Sequence, residues 1–268
     1  MPEPQIPAGV PAPVVFVGHG SPLNAIEDNP WSRAFTALGA QLPPPRAVLA
    51  ISAHWYVPGT FTTENAAPPT LHDFSGFPAP LYEVQYPAPG DPALARRVAA
   101  QLAAFQATPS TEWGLDHGTW SVLLHLWPGA QIPVVQLSID RRRPPAVHFE
   151  IGRALAPLRD AGVLILGSGN VTHNLRHALL ASQTGDHATP AWAARFDTEV
   201  ARALDERDPE WLVRALGTDD GRMCHPTPDH YLPLLYAAGA AFESAATVQF
   251  PITGFDLASL SMRTAVFR

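Results

Sequence analysis

Three histidines of the sequence each follow a short apolar run and a few small residues. We expect each run to be a buried strand, because parallel strands that are covered on both faces read as continuous hydrophobic runs. Ligands of open α/β sheets bind in the crevice outside the carboxyl ends of the strands, so these imidazoles can meet there. Convergent neutral imidazoles predict a metal site. The histidines are His19, His54 and His173, and the apolar runs are residues 14–17, 47–51 and 163–166.

The small neighbours of the first two histidines strengthen the prediction of a metal site. Glycines flank His19, and a serine and an alanine precede His54, so a metal or substrate could approach the backbone closely. The alternative is that both are core histidines bonded to backbone carbonyls. The glycine-rich stretch before His173 has neither the P-loop nor the dinucleotide-binding spacing, and therefore predicts no nucleotide site. His173 itself suits a metal ligand or an acid/base, since both roles need a neutral imidazole.

Two further segments contain histidines with polar or aromatic neighbours. His117 follows an aspartate between Trp113 and Trp120, in what we interpret as a turn between helices. There it could face a flat aromatic ligand, or it could be a bonded histidine in an Asp-capped turn. The segment 224–230 contains a cysteine, an aspartate and two histidines, and its Thr-Pro pair predicts a helix start with His230 in the first turn. That placement favours His230 over its neighbours.

The elements that position these residues alternate along the chain. Apolar runs are followed by segments that begin at proline-containing helix caps such as Asn29-Pro30, which predicts an α/β fold with helices on both faces of a sheet. The proline-rich segment 58–90 is long for a connector and predicts a lid or a pocket wall. We expect residues 1–13 to form an irregular lead-in and residues 14–268 to form one domain.

Composition excludes several classes of partner. The formal net charge is -7, with 17 basic and 24 acidic residues, so we expect neither nucleic acid nor a membrane surface as a partner. The single cysteine suits a reducing compartment, and the first residues lack a secretory signal pattern, so we expect a soluble cytoplasmic protein. A G-x-S-x-G elbow is absent, which argues against a serine hydrolase. The oligomeric state is open.

Five short motifs occur in the order in which a known enzyme family has them. They are Gly18–Pro22, Ser52–Trp55, Tyr86–Gly90, Gly114–Trp120 and Gly167–Asn174. Together they resemble the DOPA-dioxygenase type of class III extradiol ring-cleavage dioxygenases, which is related to the catalytic subunit of protocatechuate 4,5-dioxygenase. The resemblance extends from about Val14 to the C-terminus.

The resemblance implies a mixed central sheet with helices on both sides and a set of site residues. It assigns the metal to His19, His54 and His230, with His173 as a fourth ligand or as the acid/base beside the metal. His117 would contact a phenolic oxygen of the substrate, and after His173 it is the second candidate for the base that takes the catechol proton. The wider superfamily uses a carboxylate as third ligand, whereas the matching position here is His230.

The function implied is ring opening of a small, DOPA-like catechol by O₂ at a mononuclear non-haem metal. Fe(II) is expected for activity, because zinc cannot pass electrons between catechol and dioxygen. Trp55 and Trp120 are candidates to stack on the substrate ring. Zn(II) remains a possible bound ion, and a zinc hydrolase that uses the same histidines is the alternative. A third class is a protein that binds a metal or aromatic ligand without turnover.

Overall fold

The computed structural model describes residues 10–243 and 247–268. The strands are β1 (Val14–Gly18), β2 (Ala47–Val57), β3 (Phe61–Thr63), β4 (Thr108–Ser110), β5 (Val134–Asp140), β6 (Val163–Gly169), β7 (Val248–Ile252), β8 (Phe255–Asp256), β9 (Leu260–Ser261) and β10 (Thr264–Phe267). The helices are α1 (Pro30–Gln41), α2 (Ala79–Tyr82), α3 (Pro92–Gln101), α4 (His117–Leu126), α5 (Pro145–Leu155), α6 (Leu175–Thr184), α7 (Ala191–Asp205), α8 (Pro209–Arg214), α9 (Asp219–Cys224) and α10 (Leu232–Phe242).

Eight strands form one mixed sheet in the order β4-β3-β5-β2-β6-β1-β10-β7. Its centre is parallel, because β6 pairs in parallel with both β1 and β2, and β2 pairs in parallel with β5. Strand β10 is antiparallel to β1 and to β7, and β3 is antiparallel to β5. The carboxyl ends of β1, β2 and β6 therefore lie at one edge of the sheet.

Alternate residues of each central strand face opposite layers of helices. Val14 and Phe16 of β1 belong to the core covered by α5, α7 and α10, whereas Val15 and Val17 belong to the core covered by α1 and α4. Burial on both faces is the physical reason why these strands are hydrophobic without interruption. The prediction of an α/β fold with a mixed sheet and helices on both faces is confirmed.

Three local predictions from the sequence are wrong. His54 lies inside β2 and not in a loop after it, because the strand continues through a register shift between Ile51 and Tyr56. Such an irregularity lets a strand continue while it redirects a side chain. His117 is the first residue of α4 and not part of a turn between helices, since the side chain of Asp116 caps the helix.

His230 lies in a turn before α10 and not in the first turn of the helix. The reason is Pro233, which has no backbone N–H to donate to the residue four positions earlier. A helix that starts at Leu232 places this proline in the first turn, where no such bond is needed.

The predicted lead-in falls partly outside the described residues. Residues 1–9 are not described, and residues 10–13 contain no helix or strand. The boundary between 1–13 and 14–268 therefore stays a prediction. Within the described ranges, none of the helices has the length and hydropathy needed to span a bilayer.

Candidate metal centre

The imidazoles of His19 and His54 meet at the edge formed by the carboxyl ends of β1 and β2. Gly18, the last residue of β1, pairs with Gly169 of β6, and the backbone N–H of His19 donates to the carbonyl of Gly169 at 2.9 Å. The Nε2 atoms of His19 and His54 are 3.3 Å apart. Two side chains that are 35 residues apart in sequence thus direct the same ring atom at one point.

His117 completes a cluster of three histidine nitrogens. Ring nitrogens of His19, His54 and His117 all lie within 4.8 Å of one another, close enough to hold a metal ion. The first residue of α4 brings His117 there, and the tight approach of α4 to β2 depends on Gly118. A Cβ at Gly118 would lie 2.5 Å from the Ser52 hydroxyl and 2.8 Å from the His54 ring.

The rings of His230 and His173 lie against this cluster from another side. The centre of the His230 ring is 5.3 Å from that of His19 and 5.1 Å from that of His54, and His19 and His54 are themselves 5.1 Å apart. His173 stacks on His230 with ring centres 3.5 Å apart and planes within 2°. All five histidines that were candidates from the sequence are therefore in one place.

The turn that carries His230 is fixed by a close backbone contact with β6. The N–H of Asn170 donates to the His230 carbonyl at 2.9 Å. A Cβ at Gly169 would come within 2.1 Å of the same oxygen, so only glycine permits this approach. The motif that looked like a phosphate loop in the sequence instead lets the His230 turn pack onto the sheet.

The Nδ1 atoms of four of these histidines face an oxygen, which leaves Nε2 as the available nitrogen, and for His117 that oxygen belongs to Asp73, at 3.0 Å. Nδ1 of His19 is 3.0 Å from the Ser168 hydroxyl, and Nδ1 of His54 is 3.3 Å from a carboxylate oxygen of Asp73. Nδ1 of His230 is hydrogen-bonded to the carboxylate of Asp229. Partners of this kind hold metal-binding histidines in one tautomer and one orientation.

Burial keeps the imidazoles neutral, and a neutral imidazole is the form that binds a metal. Burial and the neighbouring imidazoles hold the pKa of His19 and of His230 well below the usual value. Burial and the adjacent ring of His117 lower the pKa of His54 to about 3, although Asp73 opposes the shift. Burial lowers the pKa of His173 to about 4. The donor set therefore fits a transition metal ion.

The aromatic candidates from the sequence lie at different distances from the imidazoles. Trp120 is fully buried, its indole N–H donates to the Leu71 carbonyl at 2.8 Å, and its ring contacts His72 and Phe74. Phe74 in turn contacts the His117 ring at 5.4 Å. A substrate-binding role for Trp120 stays a prediction.

Trp55 is buried and stacks on Trp113, with ring centres 5.7 Å apart and planes within 3°. Its contact with Phe61, at 6.4 Å, extends the same stack. Its substrate-binding role also stays a prediction.

Three residues of the site were not among the sequence candidates. Asp73 and Phe74 lie in the proline-rich segment, for which a lid or a pocket wall was predicted, and Ser168 lies in the glycine-rich stretch before His173. Asp73 contacts both His54 and His117. A carboxylate next to histidines in space, but far from them in the chain, leaves no local sequence signal.

The sequence of this chain is similar to that of one protein family over nearly its whole length. A profile described as "Catalytic LigB subunit of aromatic ring-opening dioxygenase" matches residues 15–267. The chain belongs to this dioxygenase family. The prediction that was drawn from five motifs, an enzyme of the class III extradiol dioxygenase type, is confirmed.

Individual members of the dioxygenase family are similar in both sequence and structure. A protein of Escherichia coli (strain K12) named "4,5-DOPA dioxygenase extradiol" is 47% identical over 254 residues, which cover 93% of this chain and 92% of the relative. A protein of Beta vulgaris with the same name is 38% identical over 86% of this chain and 87% of its own length. The crystal structure of uncharacterized protein JW3007 from Escherichia coli K12 superimposes with a TM-score of 0.82 at 42% identity, and the match covers 95% of this chain and 99% of that one.

Proposed function

We propose that this dioxygenase opens the ring of a small, DOPA-like catechol with both atoms of O₂ at one Fe(II) ion held by His19, His54 and His230. The family supports ring-opening dioxygenase chemistry, and the names of the relatives support the DOPA-like class of substrate. The observation that supports the ligand set most is the spacing of the three rings. Their centres are 5.1, 5.3 and 5.1 Å apart.

That spacing is what one ion requires. With metal–nitrogen bonds of about 2.1 Å and tetrahedral angles, the centres of two imidazole ligands lie about 5.2 Å apart. At right angles the separation falls to about 4.5 Å.

His117 and His173 fit this ligand set less well, although the nitrogens of His117 lie within the three-histidine cluster. The ring centres of His117 and His54 are only 3.8 Å apart, closer than two ligands of one ion. Stacked rings at 3.5 Å argue against joint coordination by His173 and His230 for the same reason. We give more weight to ring spacing than to nitrogen proximity, because ligands must point at the ion as well as be near it.

Bound Fe(II) would supply the redox chemistry that the spin-forbidden reaction of a catechol with dioxygen needs, and it would leave positions open for both. The neutral imidazoles bring no proton that would compete with the ion. Ser168, Asp73 and Asp229 hold the three rings, so little reorganisation is needed when the ion and the substrate bind.

The two remaining histidines are assigned to the protons of the substrate. His173 is neutral at pH 7, lies against His230 and can accept a phenolic proton, so we assign it as the general base. Nδ1 of His117 is 3.0 Å from a carboxylate oxygen of Asp73, and the Phe74 ring lies beside the imidazole. We assign His117 to a phenolic oxygen and Phe74 to the wall along which the ring lies.

The test is oxygen consumption by protein loaded anaerobically with Fe(II), measured with a panel of catechols with and without an amino-acid side chain. We expect uptake of one O₂ per catechol together with a yellow ring-opened product. Protein loaded with zinc serves as the control and should consume no oxygen. Absence of uptake with every catechol, or turnover of ester and amide substrates by the zinc form, would contradict the proposal and favour a zinc hydrolase.

The ligand assignment has its own control, because each histidine can be replaced separately. Replacing His230 with alanine should reduce the bound metal to well below one ion per chain. Replacing His117 with alanine should leave the ion bound and weaken the binding of catechol. If the His117 variant instead loses the ion and the His230 variant keeps it, His117 is the third ligand.

A further inference from the structure

One carboxylate, that of Asp73, lies between two histidines to which different roles have been assigned. Its Oδ2 is 3.3 Å from Nδ1 of His54. Its Oδ1 accepts the backbone N–H of His117 at 2.9 Å and is 3.0 Å from Nδ1 of the same residue. The two oxygens of one side chain thus contact a proposed metal ligand and the proposed substrate-facing histidine.

The segment that carries Asp73 is held firmly against α4. The N–H of Leu71 donates to the Leu115 carbonyl at 2.7 Å, and the Leu71 carbonyl accepts the Trp120 indole N–H at 2.8 Å. The next residue, Phe74, packs its ring against His117. The Asp73 side chain is only 16% exposed, so its position is set by the protein more than by solvent.

Asp229, the other carboxylate of the site, differs from Asp73 in the histidines that it contacts. Asp229 bonds to Nδ1 of His230, its own neighbour in the chain. Asp73, by contrast, is 19 residues after His54 of β2 and 44 residues before His117 of α4, so it contacts two elements that are distant in the chain.

We propose that Asp73 is a positioning residue that orients the imidazoles of His54 and His117 together, so that the metal and the catechol are bound in a fixed relation to each other. The proposal rests on the proposed function for the roles of the two histidines. The orientation of the two imidazoles can be measured directly, so this part of the proposal does not depend on the proposed function. Loss of the carboxylate then disturbs two sites, whereas loss of the Asp229 carboxylate disturbs one.

The first experiment measures orientation without any turnover. Protein labelled with ¹⁵N-histidine is loaded with zinc, and long-range ¹H–¹⁵N spectra report the tautomer and bonding of each ring, assigned through single His→Gln variants. In Asp73→Asn we expect the Nδ1 signals of both His54 and His117 to move. In Asp229→Asn only those of His230 should move, and Asp219→Asn, an exposed aspartate paired with Arg222, should move none of these.

The second experiment measures binding. Zinc affinity from chelator competition should fall by roughly 10–100-fold in both Asp73→Asn and Asp229→Asn, the usual effect of removing a partner of a metal-binding histidine. At saturating zinc and without oxygen, calorimetric titration with catechol should show an affinity about tenfold lower in Asp73→Asn than in Asp229→Asn, as expected for about 1.4 kcal/mol.

Specific outcomes overturn the proposal. Unmoved His117 signals in Asp73→Asn, or equal loss of catechol affinity in both variants, would show that Asp73 serves the metal site alone. Asp73→Glu keeps the charge and displaces both oxygens, so wild-type signals in that variant would show that charge and not position matters. If wild-type protein binds no catechol, the proposed function fails, while the spectra still decide whether Asp73 orients both rings.

Discussion

The hydroxyl of Ser168 determines which nitrogen of His19 is available, and its removal gives a sharp test. A serine hydroxyl has one hydrogen, and here it donates to the Gly118 carbonyl at 2.5 Å. The same oxygen is 3.0 Å from Nδ1 of His19, so it must accept the Nδ1–H there. Nε2 of His19 is then the unprotonated nitrogen, and it is the atom that faces Nε2 of His54.

The size of the effect of Ser168→Ala follows from these two bonds. The variant leaves Nδ1 of His19 without a partner and removes one of the bonds to the Gly118 carbonyl, and an unsatisfied buried group costs about 1–3 kcal/mol of stability. His19 also becomes free to change tautomer, and removing such a partner lowers metal affinity by roughly 10–100-fold. That range corresponds to about 1.4–2.7 kcal/mol of binding free energy.

The assay is competition for zinc between the protein and a chelator of known affinity, together with urea unfolding of the metal-free protein. Ser138→Ala is the matched control. Ser138 is equally buried, accepts from the N–H of Phe61 at 2.8 Å and donates to the Gly59 carbonyl at 3.0 Å, but it bonds to no imidazole. Both variants should lose stability, and only Ser168→Ala should lose zinc affinity. Equal zinc affinity in the two variants would refute the reasoning about the tautomer.

Three further predictions concern other parts of the structure. Gly169→Ala should cost about 1–3 kcal/mol of stability and weaken zinc binding, because the new methyl group displaces the His230 turn. Thermal unfolding and zinc titration measure the two effects. Gly217→Ala is the control, because a Cβ at Gly217 meets open space. His173→Gln should keep the metal and reduce kcat by about 10²–10⁴-fold, the range for a lost general base, and loss of the metal would make it a ligand instead. Burial lowers the pKa of His148 from its ordinary value of about 6.5 to about 4, so the wild-type protein should lose about 3 kcal/mol more stability than His148→Gln as pH falls from about 6.5 to 4. Urea unfolding of metal-free protein measures this, and parallel pH profiles would contradict it.

The parts of the site that could be predicted from sequence are those with a local signal. A continuous apolar run followed by small residues marks a central parallel strand and its carboxyl end, and this placed His19 and His173 at the correct edge of the sheet. The same rule failed in detail for His54, because an irregularity in strand pairing is decided by the neighbouring strand and not by the residues of β2 itself.

The parts that could not be predicted depend on contacts between distant segments. Asp73 is 44 residues from His117, in a segment whose prolines and glycines suppress any helical or strand periodicity. The position of His230 depends on β6 as well as on its own turn, since the approach is set by the absence of a side chain at Gly169. Sequence indicated that His230 was a candidate, but its distance from His19 and His54 required the fold.

The arrangement also explains how the proposed set of three neutral ligands can suit a divalent ion. Three imidazoles leave the full charge of such an ion uncompensated, and a buried uncompensated charge is costly. Asp73 and Asp229 provide two negative charges directly behind His54 and His230. Contacts with His117 and His54 lower the pKa of Asp73 to about 2 although burial opposes this, so Asp73 is ionised at neutral pH. The negative charge that a carboxylate ligand would bring to the ion directly is therefore present one residue further out, where it also orients the rings.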